Sequence, residues 1–195
     1  NRCEGVGYIS KEDAMSLGVT GPNLRAAGVG NDLRVDDPYL KYRELDFNVP
    51  TATESDVLAR YYVRVREMYE TVKLLRQCLE KLPEGPINTP DAKQVLPDKG
   101  EVYSKMEELI HDFMIVNFGN TPEKGVEAYQ AIEAAKGELG FYAISDGKGY
   151  PFRLKIRSPS FTNLGALPTM MKGAMISDIV AIIGSLDPVM GEADK

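Results

Sequence analysis

Residues 57–82, VLARYYVRVREMYETVKLLRQCLEKL, decide much of the fold, because apolar side chains recur there at three- to four-residue spacing. These side chains are Val57, Tyr61, Val65, Met68, Val72, Leu75, Leu79 and Leu82. The spacing places them on one face, so it predicts a long amphipathic helix with an apolar packing surface. Thr53 and Asp56 provide capping side chains at its start. Pro83, Gly85 and Pro86 end it, because proline lacks the amide donor that a helix needs.

A second helix is predicted from Asp98, with Glu101 at the capping-box position and Gly119 at the end. Its apolar face consists of Val102, Met106, Leu109, Phe113 and Val116. We expect the two helices to pack as a long antiparallel pair over residues 53–119. Cys78 lies near the apolar face of the first helix, which favours a place in the core.

Apolar residues alternate with polar ones in three later segments, residues 126–134, 139–145 and 152–157. Lys136-Gly137 and the run 146–149, DGKG, separate these segments and are typical of tight turns. The pattern predicts an antiparallel β-meander over residues 125–158. In its last strand Arg153, Lys155 and Arg157 share one face, which is either solvated or suited to docking an acidic surface.

The two ends of the chain are predicted to be helical in short pieces. Ser10 and Asp13 cap a helix from Lys11 to Leu17, and residues 18–52 are mostly irregular apart from one turn at residues 23–27. Near the other end, residues 159–167 form a short helix, and residues 175–185 form an apolar helix that we expect to be buried. Residues 159–195 thus comprise a buried helix and a tail. The fold class is α+β and rich in helix.

Composition excludes several classes of function. Lys and Arg number 23 against 29 Asp and Glu, a net charge of −6, so nucleic acid is an unexpected partner. The longest aliphatic run, residues 179–183, is far too short to cross a bilayer. Cys3 and Cys78 are isolated, and His111 is the single histidine, so no zinc site or histidine-based catalytic triad is predicted. The start at Asn1, directly before a strand-like stretch, leads us to expect a fragment of a longer protein.

Two stretches invite a functional interpretation. Glu133, Lys136 and Glu138 crowd one tight turn, for which a merely solvated turn is the plain alternative. Residues 187–195 follow the most apolar helix of the chain, so we expect this tail to leave the interior along the wall of a cavity.

An ordered set of motifs across the whole chain resembles the C-terminal half of the D-subunit family of bacterial NADH-quinone oxidoreductase, respiratory complex I. These motifs are residues 21–28 (GPNLRAAG), 32–34 (DLR), 38–39 (PY), 46–50 (DFNVP), 64–68 (RVREM), 106–113 (MEELIHDF), 133–140 (EAAKGELG), 145–147 (SDG), 155–161 (KIRSPSF) and 180–194.

The resemblance implies a quinone-site subunit in the peripheral arm of a proton-pumping NADH:quinone oxidoreductase, on the cytoplasmic side of the bacterial inner membrane. It implies that this chain binds no cofactor itself: quinone is the substrate, and electrons arrive from the terminal iron–sulfur cluster of the neighbouring B subunit. The implied partners are this cluster-bearing B subunit, the C subunit, membrane-arm subunits and quinone. A fragment of this kind is expected to be inactive alone, since the family's two head-group residues lie in the other half. The alternative is a non-catalytic scaffold that docks neighbouring subunits.

That family is similar to the large subunit of nickel-iron hydrogenases, and a hydrogenase-like fold is therefore implied. The hydrogenase metal-binding motif D-P-C-x-x-C corresponds here to residues 187–192, DPVMGE, which lack the thiolates that nickel-iron needs. A catalytic hydrogenase and a metal site are therefore not expected. The hydrogenase motif E-A-P-R-G corresponds to residues 133–137, EAAKG, so a positive charge is kept at Lys136 while the usual proline is Ala135.

By this resemblance, the vacated metal pocket becomes part of the quinone chamber. Lys136 and Asp194 are the implied catalytic residues, for charge stabilisation and proton supply. The implied quinone-binding residues are Glu133, Asp187, Val189, Met190, Gly191 and Glu192. The family ordinarily ends in Asp-Arg, whereas this chain ends in Asp194-Lys195 and loses the bidentate guanidinium.

Overall fold

A computed structural model describes residues 2–89, 94–119 and 121–194. The chain divides into two compact units. The larger unit contains residues 1–81, 130–140 and 156–195, and the smaller unit contains residues 82–129 and 141–155. None of the helices in the described ranges is both long enough and apolar enough to span a bilayer.

The described elements form a mixed helical and sheet structure. The helices are α1 (Lys11–Ser16), α2 (Pro22–Arg25), α3 (Leu33–Asp36), α4 (Val57–Glu80), α5 (Lys99–Val102), α6 (Met106–Phe118), α7 (Pro159–Gly165), α8 (Leu167–Met170), α9 (Ile179–Leu186) and α10 (Met190–Ala193). The strands β1 (Glu127–Ala134), β2 (Gly137–Ser145) and β3 (Pro151–Arg157) form an antiparallel sheet in the order β1-β2-β3. The α+β class and the meander are confirmed.

The predicted helix starts agree closely with the capping interactions. Ser10 Oγ accepts a hydrogen bond from the Asp13 amide at 3.0 Å, which begins α1 as expected. Asp56 Oδ1 accepts from the Ala59 amide at 2.7 Å, so Asp56 is the N-cap of α4. The turn predicted at residues 23–27 is α2, whereas α3 was not predicted.

Beyond Val57, which lies in the core, most of the apolar face predicted for α4 is exposed. Met68, Leu75 and Leu79 are 60%, 58% and 75% exposed, while Val63 on another face is fully buried. The preceding segment covers that other face: Val63 packs with Ala26 and Ala52, and polar groups farther along α4 bind the backbone of residues 46 and 48. Polar side chains whose hydrogen bonds are satisfied can be covered by a loop, which periodicity alone does not reveal.

Cys78 is exposed, so its prediction as a core residue is wrong. It lies on α4, where the neighbouring Leu79 is also exposed. The error has the same cause as the misassigned face of α4, because the core position of Cys78 was inferred from that face.

The core of the larger unit combines residues from the first third and from the last part of the chain. Its members include Ile9, Val19, Leu24, Val57, Met170, Ile182 and Leu186. Helix α9 is buried along one face only, since Ile182 and Leu186 are nearly inaccessible whereas Val180 is 79% exposed. The burial expected for this apolar segment therefore applies to one face of α9 and not to the whole helix.

The smaller unit contains α5, α6 and part of each of the three strands. The continuous helix predicted from Asp98 is interrupted after Val102, where Ser104 Oγ donates to the Gly100 carbonyl at 3.0 Å and competes with the helical pattern. Helix α6 ends at Gly119 as predicted, with a left-handed φ of 61°. Because α4 and α6 belong to different units, their antiparallel pairing stays a prediction.

A close backbone crossing fixes the β1–β2 turn inside the larger unit. A Cβ atom built on Gly21 would lie 2.5 Å from Gly137 Cα, and Gly21 has a left-handed φ of 71°. A Cβ on Gly137 would lie 2.5 Å from Thr20 Oγ1. Only residues without a side chain permit this approach, so two glycines attach the turn to the start of α2.

We expect Gly21→Ala to lower the free energy of unfolding by about 3 kcal/mol, because it combines a left-handed residue with overpacking against backbone. Urea denaturation followed by circular dichroism measures this value. Gly165→Ala is the matched control: Gly165 sits in helix α7, and apart from its chain neighbours and the backbone of its own helix, no described atom lies within 4 Å of the Cβ that the substitution would add. Equal stability of the two variants would contradict the importance of the crossing.

Candidate functional site

Lys136 and Asp187, which are 51 positions apart, meet in the larger unit. Lys136 occupies the β1–β2 turn, and its Nζ donates to Asp187 Oδ2. Asp187 directly follows α9 with a left-handed φ of 53°. The lysine side chain is 22% exposed and the aspartate 45%. The two residues singled out by the turn and by the tail are thus brought together as an ion pair that remains accessible.

The backbone around Lys136 is held by a buried amide. Asn163, which is 1% exposed, donates from Nδ2 to the Lys136 carbonyl at 3.0 Å. Its Oδ1 accepts from the Thr20 amide at 3.2 Å. Thr20 Oγ1 in turn accepts from the Glu138 amide at 3.1 Å. These hydrogen bonds attach the turn that bears Lys136 to α7 and to the segment before α2.

Arg64 lies beside this ion pair on α4. Its Nη2 donates to Asn23 Oδ1 at 3.2 Å and to the Leu186 carbonyl at 3.3 Å. Its Nε is buried and, within the described residues, has no hydrogen-bond partner. The Nε lies 3.9 Å from Asp187 Oδ2, too far for a hydrogen bond. Burial lowers the pKa of Arg64, and the attraction of Asp187 opposes that effect.

Arg60, one helical turn earlier, is fully buried among neutral acceptors. It donates to Ser185 Oγ at 2.9 Å and to the carbonyls of Ser55 and Gly7 at 3.1 Å and 2.9 Å. Burial, together with repulsion from Arg64, lowers the pKa of Arg60 to about 10. Arg60 and Arg64 thus place two positive charges close together on α4.

A second ionic cluster, centred on Arg25, supports the other side of the turn. Arg25 is 2% exposed and donates to Glu67 at 2.7 Å and to Glu133 at 2.8 Å. Burial alone would lower the pKa of Arg25, but these carboxylates outweigh it and raise that pKa. Burial raises the pKa of Glu133, and Arg25 opposes that shift. Glu133 was predicted to bind the ligand. Its side chain is only 3% exposed, and its carboxylate forms an ion pair with Arg25.

Two cavities of about 510 Å³ each lie in the larger unit, and Tyr61, Arg64 and Asp187 line both of them. The charged cavity is completed by Arg25, Arg34, Val65, Glu67, Met68, Thr71 and residues 133–136. The apolar cavity is completed by Cys3, Val57, Leu58, Ala181, Gly184 and Ser185. Cationic donors next to apolar walls suit a ligand with carbonyl oxygens and an apolar body.

The rest of the predicted tail lies against α7. Glu192 Oε2 accepts from Ser160 Oγ at 2.7 Å, and the Val189 amide donates to that hydroxyl at 3.1 Å. Met190 is 65% exposed, and Gly191 belongs to α10 with it. Asp194 is the C-cap of α10. Of the tail positions that the structure describes, only Asp187 lines the two cavities, and the roles predicted for the others stay predictions.

Sequence reasoning assigned no role to Arg25, Arg60, Arg64 or Asn163. Arg25 and Arg64 fall inside the motifs GPNLRAAG and RVREM, which provided a signal, but neither the burial of Arg25 nor the contacts of Arg64 followed from it. Among the residues that the structure describes, no cluster of three or more His, Cys, Asp or Glu side chains is placed to hold a metal ion.

The family model and the individual relatives that this chain matches point to the same kind of protein. The family described as "Respiratory-chain NADH dehydrogenase, 49 Kd subunit" matches residues 1–195. The chain is 60% identical to the D 1 subunit of NADH-quinone oxidoreductase from Chloroherpeton thalassium and 56% identical to the D subunit from Salinibacter ruber. These matches cover all of this chain but 44% and 43% of those relatives. The chain thus spans slightly less than half the length of these two relatives.

We expect Arg25→Met to lower the free energy of unfolding by about 3–5 kcal/mol at neutral pH, because it leaves buried carboxylates unpaired. Lys41→Met is the control, since Lys41 pairs with Glu44 on the surface, where the side chains are 78% and 60% exposed. Such a surface pair contributes at most about 1 kcal/mol. Urea denaturation of both variants checks the difference, and a similar loss in both would refute the central role of Arg25.

The destabilisation by Arg25→Met should shrink as the pH falls from about 7 to about 4. Burial raises the pKa of Glu133, and loss of the guanidinium removes the attraction that opposes this rise. An acid whose pKa is raised by folding costs stability when ionised, and this cost disappears below its unfolded-state pKa. Denaturation curves across this pH range test the trend; a difference between variant and parent that does not change with pH would contradict it.

Proposed function

The chain belongs to the family of the respiratory-chain NADH dehydrogenase 49 kDa subunit, and from this premise we propose that it helps to form the quinone-reduction site of a proton-pumping NADH:quinone oxidoreductase. Subunits of this family take part in an oxidoreductase complex. The chain spans slightly less than half the length of the two relatives, and in this proposal the activity belongs to the assembled complex and not to this chain by itself.

The observation that carries this proposal is the ion pair of Lys136 and Asp187 at the edge of the charged cavity. Asp187 orients the ammonium, and Asn163 holds the turn that bears it. In such a position the ammonium donates to a carbonyl oxygen of the quinone and stabilises the negative charge that develops on reduction. The ion pair is also placed to supply a proton to that oxygen.

The remaining parts of the site are assigned by the same proposal. Val189, Met190 and Gly191 give apolar contacts, while Asp187, Glu192 and Asp194 supply carboxylates for positioning or proton relay. Glu133 is a further quinone-binding residue. Quinone is the substrate, and the chain itself carries no redox cofactor. Electrons arrive from the iron–sulfur cluster of the B subunit, and the C subunit and membrane-arm subunits are further partners. The complex holds this chain peripherally on the cytoplasmic side of the inner membrane.

The proposed architecture is that of the nickel-iron hydrogenase large subunit with its metal site lost. Residues 187–192 and 133–137 take the places of the two hydrogenase motifs, and Lys136 and Asp187 from these two segments are in contact. In this proposal residues 53–119 form the helix pair, residues 125–158 the meander, and residues 159–195 the buried helix and tail.

A second candidate function, a scaffold that docks neighbouring subunits without a redox role, is favoured by the exposed apolar faces of the chain. Met68, Leu75 and Leu79 are exposed on α4, and Phe113 is 58% exposed on α6. Apolar patches of this kind mark surfaces that other chains cover. Docking and quinone binding are compatible, so the two functions are separated by the effect of cavity variants on quinone reduction.

We expect Lys136→Met in the assembled complex to reduce NADH:quinone activity at least about tenfold, because the quinone loses a charged hydrogen-bond donor. Electron transfer from NADH to a water-soluble acceptor such as ferricyanide should stay unchanged, since it does not need the quinone cavity. Lys11→Met, an exposed lysine on α1, is the control. Unchanged quinone reduction in Lys136→Met would reject the role of this ion pair and favour the scaffold.

A photoreactive quinone-site inhibitor should label the intact complex at residues that line the charged cavity, including Tyr61, Met68 and Asp187. Peptide mass spectrometry locates the adduct, and excess unlabelled inhibitor is the competition control. Labelling that is abolished by competition yet never reaches these residues would place the quinone site elsewhere in the complex.

A further inference from the structure

Helix α7 carries two buried polar side chains, Ser160 and Asn163, which lie one helical turn apart on the same face. Each residue is 1% exposed. Burying a polar side chain costs free energy unless it is hydrogen-bonded, so the partners of these two side chains show what the helix holds in place. Those partners lie in two distant segments, the β1–β2 turn and the tail that follows α9.

Asn163 anchors the lysine side of the ion pair. Its Nδ2 donates to the Lys136 carbonyl at 3.0 Å. This carbonyl belongs to the same residue whose ammonium contacts Asp187, so only the side chain of Lys136 separates the anchor from the ion pair.

Ser160 anchors the aspartate side. Its Oγ donates to Glu192 Oε2 at 2.7 Å and accepts from the Val189 amide at 3.1 Å. The Ser160 amide also donates to the same carboxylate oxygen, at 3.3 Å. Val189 follows Asp187 by two positions, and the residue between them is Pro188, whose ring fixes its φ. The hydroxyl of Ser160 therefore holds the backbone directly after the carboxylate that orients Lys136.

The backbone of Asp187 needs such support. Asp187 has a left-handed φ of 53°, and a residue with a Cβ keeps that conformation when surrounding contacts enforce it. The contacts of Ser160 with Val189 and Glu192 supply this enforcement on the tail side. No residue of α7 lines either the charged cavity or the apolar cavity, so Ser160 acts on the site through the residues that it holds.

We propose that Ser160 is a positioning residue of the quinone-reduction site. From the face of α7 that already anchors the Lys136 turn through Asn163, its hydroxyl fixes the tail and so sets where the Asp187 carboxylate meets the Lys136 ammonium. This inference rests on the proposed function and adds to it a residue that touches neither cavity. A donor that is displaced from its productive position loses much of its catalytic effect, so the contact matters for the reaction as well as for the fold.

The first test measures the ion pair directly and needs no activity. A carbodiimide joins an amine to a carboxylate in contact with it through an amide bond, and peptide mass spectrometry quantifies the link between Lys136 and Asp187 in the assembled complex. Ser160→Ala removes the hydroxyl, so the yield of this link should fall at least about threefold relative to the parent. A yield equal to that of the parent would overturn the proposal.

Thr162→Val is the matched control for this substitution. It also removes a hydroxyl from α7, but the Thr162 hydroxyl donates at 3.1 Å to the carbonyl of Ser158, the N-cap of the same helix. The link between Lys136 and Asp187 should therefore form in Thr162→Val with the parent yield. An equal loss in Thr162→Val and Ser160→Ala would show a general effect of altering α7 and overturn the role of Ser160.

The second test is kinetic. In the assembled complex, Ser160→Ala should lower kcat for quinone reduction about fivefold and leave the KM for quinone unchanged, because the positioned ammonium stabilises charge that develops only on reduction. Added to Lys136→Met, the same substitution should cause no further loss, since the group that it positions is absent. A merely structural role would lower activity by the same factor in both backgrounds, and that result would overturn the proposal.

A second variant covers the case in which Ser160→Ala impairs assembly. Ser160→Cys keeps a side chain of similar shape with a weaker donor, so both the link yield and kcat should fall less than in Ser160→Ala but remain below the parent values. Parent values of both quantities in Ser160→Cys would then overturn the proposal.

The two levels of inference fail differently. Loss of quinone reduction in Lys136→Met, combined with unchanged link yield and kcat in Ser160→Ala, rejects the role of Ser160 and retains the quinone site. Unchanged activity in Lys136→Met rejects the ion pair as the basis of the proposed function, and with it the catalytic importance of Ser160, whatever the link yield shows.

Discussion

The backbone crossing of Gly21 and Gly137 is the constraint on which the site depends. Because neither residue has a side chain, the β1–β2 turn lies directly against the start of α2, and the buried amide of Asn163 joins both segments. This contact brings together parts of the chain that are more than 100 residues apart. It fixes the base of Lys136, and the same turn carries Glu133 into contact with Arg25.

Three arginines, of which Arg25 and Arg60 are buried and Arg64 is partly exposed, give the larger unit its electrostatic character. Arg25 is compensated by carboxylates, whereas Arg60 has neutral partners and Arg64 is only partly compensated by Asp187. Buried charge of this kind is a poor source of stability, because desolvation offsets much of the attraction. These charges do provide an electrostatic field beside the two cavities. Donors held in place by the protein interact more strongly with a ligand oxygen there than mobile water would.

The apolar surfaces of α4 and α6 show a second consequence of the architecture. In both helices large aliphatic and aromatic side chains remain exposed, although their spacing is that of a packing face. The chain spans about half the length of its relatives, and the family takes part in a multisubunit complex. A surface that is apolar and periodic in sequence is therefore compatible with exposure in this chain and coverage in the assembly.

Sequence alone determined the local elements, because capping residues, glycines and hydrophobic spacing act over a few neighbours: α1, the start of α4, the end of α6 and the three strands follow from them. The ordered motifs also determined the family. Only the tertiary structure decided which face of α4 is buried, that Cys78 is exposed, and that Lys136 contacts Asp187. Burial of Arg25 and Arg60 likewise depends on segments from distant positions that supply their acceptors. Local spacing contains no information about such partners, since the free energy of burying a charge is set by whatever the rest of the chain places beside it.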